Sequence, residues 1–220
     1  PTGGVKIVYE YANRLSDDGY HVSIVYIVDT LKKSKSVIEH LKTILRYIYS
    51  LCRTSFAKCS WFPLSKKIHE STIYKLNKKF KPKDNEFNIL TSVSTALNFY
   101  QVVTEYNPKN LLYFIQDYEC WDVDEEELIF TYKKECKKIV IAQWLKDKIY
   151  LKANSLSNFV PNGFDFNQFR LTIPIKNKNK YCISFLYHHR VVKDTATGLR
   201  ALEYVKQQIP QIHVLMFGTY

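Results

Sequence analysis

An α/β fold built on parallel strands is predicted by three features of the chain. Gly3 and Gly4 stand directly before a stripe (Val5, Val8, Tyr9, Ala12, Leu15) that recurs at helical spacing. Short apolar runs then alternate with helical segments through the middle of the chain. A polar, basic break at 172–180 is followed by a fresh strand–helix–strand set.

Taken in order, the glycine pair opens the first helix. Asp18-Gly19 turns the chain into the run from His21 to Val28, which reads as a buried strand. Glycine loop, helix, turn and buried strand together form the front end of a nucleotide-binding α/β domain. The strand that would feed the glycine loop is not among these residues, so the chain reads as a fragment. Residues 31–80 form a basic, aromatic insert. Within it Val37, Ile38, Leu41, Ile44, Leu45, Ile48 and Leu51 make a helical apolar stripe, ended by Trp61-Phe62-Pro63. Lys32, Lys33, Lys35, Lys42, Arg46 and Arg53 surround the stripe. Two readings stay open: an interfacial helix on an anionic membrane, spanning about residues 37–53, or a core-facing helix with a solvated basic side.

Regular alternation resumes with a strand at 87–91 and a helix at 94–106, for which Ser94 is the expected N-cap. A strand follows at 111–115, a helix at 124–136 opened by a favourable acidic turn, and a strand at 138–142. A short helix at 145–152 and a short strand at 158–160 lead to Pro161-Asn162-Gly163. These residues make a first domain of 1–172. Residues 173–180 read as the linker. A strand at 181–187, a helix at 195–208 and a strand at 212–217 begin a second domain, 181–220, too small to hold a core alone.

Composition bounds the function. The 220 residues are 46% hydrophobic and 24% charged, which suits a globular protein. No run approaches the ~18 apolar residues of a membrane span. The net charge of +11 suits an anionic partner or a solvated Lys-rich surface. The five cysteines include no C-x-x-C pair, which argues against a zinc site or disulfide framework and suits a reducing, cytoplasmic setting, with the inner membrane face as the peripheral alternative. Adjacent His188 and His189, read as strand residues, point to opposite faces and make a poor metal pair.

Three segments carry a family resemblance. Pro1-Thr-Gly-Gly-Val5 followed by Leu15-x-x-x-Gly19-Tyr-His21-Val22 resembles the opening of the family 4 glycosyltransferases. Val160-Pro-Asn-Gly163-Phe-Asp165 with Phe169 resembles the family's segment closing the first domain. Tyr187-His-His-Arg190-Val-Val-Lys193 resembles the loop that opens its second domain, with His189 where the family has glycine and with a shorter spacing to lysine. Gln116-Asp117-Tyr118-Glu119 looks like the subgroup of bacterial surface-polysaccharide rhamnosyltransferases.

The resemblance implies a GT-B architecture, two Rossmann-like domains facing a cleft, with the first strand and most of the second domain absent from this chain. It implies transfer, with retention, of a hexosyl or rhamnosyl unit from a nucleotide-sugar donor to a glycan or lipid-linked acceptor. The first domain would hold the acceptor and the second the donor. Gly3, Gly4, Arg190 and Lys193 would bind the donor diphosphate. Gln116 and Asp117 would act at the reacting centre, and Tyr118 and Glu119 would contact the acceptor. No cofactor, metal or nucleic acid is expected.

Other readings of the same residues remain. Gly3-Gly4 also fits a tight turn, Arg190 and Lys193 also fit exposed loop cations, and Glu119 with Asp117 also fits capping of the helix that follows. A GT-B nucleotide-sugar epimerase and a non-catalytic GT-B-like scaffold are the rival functions. A nucleic-acid binder is disfavoured because the cations are scattered rather than aligned in one stripe.

Overall fold

Helices and strands alternate along the chain, and every strand pairing among the described residues is parallel. The computed structural model describes residues 3–29, 37–51, 62–78, 80–121, 123–167, 169–189 and 191–218. They divide into two compact units, Pro1–Gly163 and Phe164–Tyr220. This division falls ahead of the expected domain end at 172. The segment read as a linker, 173–180, lies within the second unit and contains a 3-10 turn at Ile175–Asn177.

The first unit opens with α1 (Gly3–Asp17), which leads through the Gly19 turn to β1 (Ser23–Ile27). Then come α2 (Val37–Leu51) and β2 (His69–Ile73), with β2 paired to β1 in register from Ser23–His69 to Ile27–Ile73. The region expected as an insert outside the alternation therefore contributes a strand. Its sequence, His-Glu-Ser-Thr-Ile, lacks an apolar run, so its strand character comes from pairing rather than from its own pattern.

A second sheet follows in the same unit. Its strands β3 (Asn88–Leu90), β4 (Leu111–Ile115), β5 (Lys137–Val140) and β6 (Asn158–Phe159) lie in sequence order. Helices α3 (Val93–Val102), α4 (Glu125–Lys133) and α5 (Gln143–Ala153) connect them. The core sits here: Leu97, Phe99, Leu111, Tyr113, Leu128, Tyr132, Val140, Leu145 and Ile149 are buried together. The cap of α3 is Ser92 rather than the expected Ser94. Ser92 has extended backbone, and its hydroxyl accepts from Thr95 N–H at 3.2 Å. Helix α3 also ends earlier than expected, at Val102, because Val103 turns to extended geometry and the chain reaches Asn107-Pro108.

Helix α1 touches both sheets. The Tyr9 and Tyr26 hydroxyls lie 2.8 Å apart, and Tyr26 donates to Glu70 on β2 at 2.8 Å. Burial and these contacts push the Tyr26 hydroxyl well above the usual tyrosine range. On the other side Tyr11 packs edge-on against Phe114 of β4, with centroids 5.4 Å apart.

Helix α2 is the surprise. It packs against β2 through Tyr47, whose ring meets Tyr74 edge-on at 5.5 Å. The side chains it buries are Thr43 and Ser50. Its apolar stripe faces out: Val37, Ile38, Leu41, Ile44, Leu45, Ile48 and Leu51 are all exposed. The core-facing reading of this helix is thereby corrected. Arg53 and Trp61 lie outside the described residues. Among the described residues no helix is long and apolar enough to cross a membrane.

The second unit pairs β7 (Cys182–Tyr187) with β8 (His213–Gly218) across α6 (Thr195–Gln208). A Cβ at Gly198 would lie 2.5 Å from the Phe185 ring, so only glycine lets α6 approach β7 this closely.

Candidate functional site

In a parallel sheet the carboxyl ends of the strands and the amino ends of the following helices share one edge, where ligands of open α/β sheets bind. In the first unit this edge gathers the glycine pair and the Gln116–Glu119 tetrapeptide. Gln116 Nε2 donates to the Gly4 carbonyl at 3.2 Å, joining residues 112 positions apart. The start of α1 thus lies against the end of β4.

Both glycines are helical, and neither has the positive φ that Gly19 adopts. The tight-turn reading of this pair therefore has no support in the backbone. Glycine costs about 1 kcal/mol relative to alanine inside a helix. A Cβ at Gly3 would meet nothing within 4 Å among the described residues, and one at Gly4 would touch only the flexible Gln116 amide, at 3.4 Å. Neither the backbone nor the packing accounts for two glycines here. A helix amino terminus that begins with two glycines lets an anion approach the first-turn N–H groups and the positive end of the helix dipole without a side chain in the way.

The four side chains of the tetrapeptide have separate tasks. Gln116, half-buried, braces the α1 terminus. Tyr118 is 6% exposed, and its hydroxyl donates to Glu125 Oε1 at 2.6 Å. Lys148 Nζ stands 3.6 Å from the Tyr118 ring centroid. Burial first, and the Glu125 contact second, push the Tyr118 hydroxyl above the usual range. The same hydrogen bond, with help from Lys152 at 3.1 Å, holds the Glu125 carboxyl below the usual carboxylate range.

Glu119 reaches back to α3, where its Oε2 accepts from Val93 N–H at 2.5 Å. That contact, at the first residue of α3, makes Glu119 a capping group for a helix upstream of it. Asp117 is the exposed member, with Oδ1 accepting from Tyr118 N–H at 2.8 Å. Its neighbours on both sides are anchored to α1, α3 and α4, so Asp117 is presented from a fixed loop beside the α1 terminus. Of the acceptor contacts expected at Tyr118 and Glu119, the structure finds both side chains engaged in holding this loop.

A concavity of the first unit lies elsewhere. It measures about 420 Å³ and lies at the opposite, amino-terminal edge of the second sheet, lined by Lys78, Phe80, Lys81, Glu105 and Tyr106 among others. It is open and carries both charge signs. The chemistry gathered at the carboxyl edge outweighs volume here.

In the second unit, Lys193 is exposed in a 3-10 turn at Val191–Lys193, just ahead of Asp194, which caps α6. Arg190 lies outside the described residues. His188 and His189 follow β7 in a loop, with rings stacked at 4.8 Å. The strand alternation expected to separate them does not apply there. Among the described residues no group of three His, Cys, Asp or Glu side chains is placed to hold a metal ion.

Sequence reasoning put the glycine pair and Gln116-Asp117 at one site. It missed that Glu119 caps α3, because the partner helix lies upstream and no local spacing signals it. No family model matches the chain, and no curated protein matches it.

Proposed function

We propose that this chain is part of a GT-B glycosyltransferase resembling family 4, transferring a sugar from a nucleotide donor to a glycan or lipid-linked acceptor of a bacterial surface polysaccharide. The observation that carries the reading is the amino terminus of α1: two glycines whose place no contact among the described residues requires, braced by Gln116 at the carboxyl edge of a parallel sheet.

In this reading the backbone N–H groups around Gly3 and Gly4 face the diphosphate as its bond to the anomeric carbon breaks. Negative charge grows on the leaving oxygen, and donors fixed in advance stabilise it at no cost in reorganisation. Asp117 accepts a hydrogen bond from the acceptor hydroxyl and orients its oxygen toward the anomeric carbon. The hydroxyl proton passes to the Asp117 carboxylate as the new glycosidic bond forms and the bond from the anomeric carbon to the diphosphate oxygen breaks. Gln116, Tyr118 and Glu119 act as positioning residues. Arg190 and Lys193 supply cations for the diphosphate from the second domain.

Gly4→Ala separates this reading from a purely structural one. The new methyl fits beside Gln116 and favours the helix, so thermal stability holds or rises. Binding of nucleoside diphosphates to the full-length protein, followed by calorimetry, falls at least ~10-fold because the approach to the N–H groups is blocked. Unchanged diphosphate affinity in a folded Gly4→Ala variant rejects the site.

A further inference from the structure

The cavity at the amino-terminal edge of the second sheet lies apart from the proposed transfer site. Its volume of about 420 Å³ suits a small molecule. Two chain segments wall it: 78–84, which leads into β3, and 102–107, which follows α3. Phe80 and Tyr106 give it an aromatic surface. That surface is anchored from below. Both rings meet the buried Phe99 edge-on, Tyr106 at 5.4 Å and Phe80 at 6.5 Å. Asn110 Nδ2 also donates to the Asp84 carbonyl at 2.6 Å. The core therefore fixes both walls.

The charges around this cavity are left unpaired. Lys78, Lys81, Asp84 and Glu105 all line it, and all are exposed. Opposite signs surround one small space, yet none of the four forms an ion pair among the described residues. Lys83 and Glu86, in the same stretch of chain, do pair, at 2.7 Å. Two ammoniums and two carboxylates thus remain for a molecule bound between them. Their signs select it. An anion with no positive group meets Asp84 and Glu105, and a cation with no negative group meets Lys78 and Lys81. A zwitterion meets a partner at each end. An aromatic ring on that zwitterion packs against Phe80 and Tyr106.

We infer that this cavity binds a small aromatic zwitterion of the amino-acid class, with its carboxylate on Lys78 and Lys81, its ammonium on Glu105 and Asp84, and its ring on Phe80 and Tyr106. The site lies at the edge opposite Asp117 and does not depend on the transfer chemistry.

Calorimetric titration of the full-length protein with L-phenylalanine and L-tryptophan tests it. The expected result is saturable binding of at least one of them, with a melting temperature that rises as the amino acid is added. Hydrocinnamate, which lacks the ammonium, phenethylamine, which lacks the carboxylate, and glycine, which lacks the ring, each bind at least ~10-fold more weakly. Lys78→Gln/Lys81→Gln and Asp84→Asn/Glu105→Gln each weaken binding to a similar degree. Because these side chains are exposed, neither change moves the melting temperature of the ligand-free protein. Asp117→Asn leaves binding unaltered. Four results overturn the proposal: neither amino acid binds; binding survives either pair of charge substitutions; hydrocinnamate, phenethylamine or glycine binds as tightly as the amino acids; or Asp117→Asn abolishes binding, which would put the ligand at the carboxyl edge instead.

Discussion

Helices α2 and α3 are both connections between parallel strands and both rich in aliphatic residues, yet they use that character in opposite ways. Helix α3 buries Val93, Ala96, Leu97, Phe99 and Tyr100 between its sheet and α4. Helix α2 buries Thr43 and Ser50 and turns its leucines and isoleucines outward. Apolar periodicity therefore identifies a helix with two unlike faces, but not which face meets the protein. The difference is set by the partner. Helix α3 lies on the core of a four-stranded sheet, whereas α2 leans on β2 of a two-stranded one.

The largest effect that separates the two helices is loss of a leucine from each. Leu97 is 3% exposed, so Leu97→Ala is expected to cost about 2–5 kcal/mol in denaturant unfolding. Leu45→Ala on α2 is expected to stay within about 0.5 kcal/mol. Equal costs would break the comparison, because they would mean that the α2 stripe is covered.

Alkaline titration sharpens the same contrast. Burial pushes the hydroxyls of Tyr100, Tyr113 and Tyr132, around α3, well above the usual range, with Cys136 adding to the effect at Tyr100. A raised acid pKa gives stability that is complete below the ordinary tyrosine value, about 10, and is lost as pH rises toward the folded value. Tyrosine ionisation followed by ultraviolet absorbance should therefore rise in step with unfolding of the first unit above about pH 10. Smooth ionisation of all tyrosines before any unfolding would contradict the packing around α3.

Capping produces a smaller effect. Ser92→Ala and Glu119→Gln each remove or weaken a group at the start of α3. Each is expected to cost about 1 kcal/mol in the same unfolding experiment. No change in either would show that packing alone sets the start of α3.

The smallest effect concerns α4, which packs beside α3. The Glu125 carboxyl is held low by Tyr118 and Lys152. A depressed carboxyl pKa gives stability above the ordinary value that is lost as pH falls through the folded one. Glu125→Gln should accordingly flatten, slightly, the acid limb of the stability–pH curve. An unchanged acid limb would remove Glu125 from the account.

Much of the fold was legible because short apolar runs leave little choice. Leu-Leu-Tyr-Phe-Ile at 111–115 and the helix at 195–208 were legible to the residue. Strand β2 was not, because His, Glu, Ser and Thr hide a strand whose stability comes from pairing with β1. The outward face of α2 was open to two readings, since one wheel pattern serves both. At the site, the glycines and Gln116-Asp117 were legible from their places before a helix and after an apolar strand. The engagement of Tyr118 with Glu125 and of Glu119 with Val93 was not, because each contact joins separate elements.

The site also sets the decisive experiment. The full-length protein is incubated with a panel of nucleotide sugars and membrane-derived glycan or lipid-linked acceptors, and nucleoside diphosphate release and acceptor mass are followed together. The account predicts that one donor is consumed with matching acceptor growth, and that Asp117→Asn lowers kcat at least ~100-fold with an unchanged melting temperature. Full transfer activity in a folded Asp117→Asn variant, or a protein that consumes no nucleotide sugar, would contradict it.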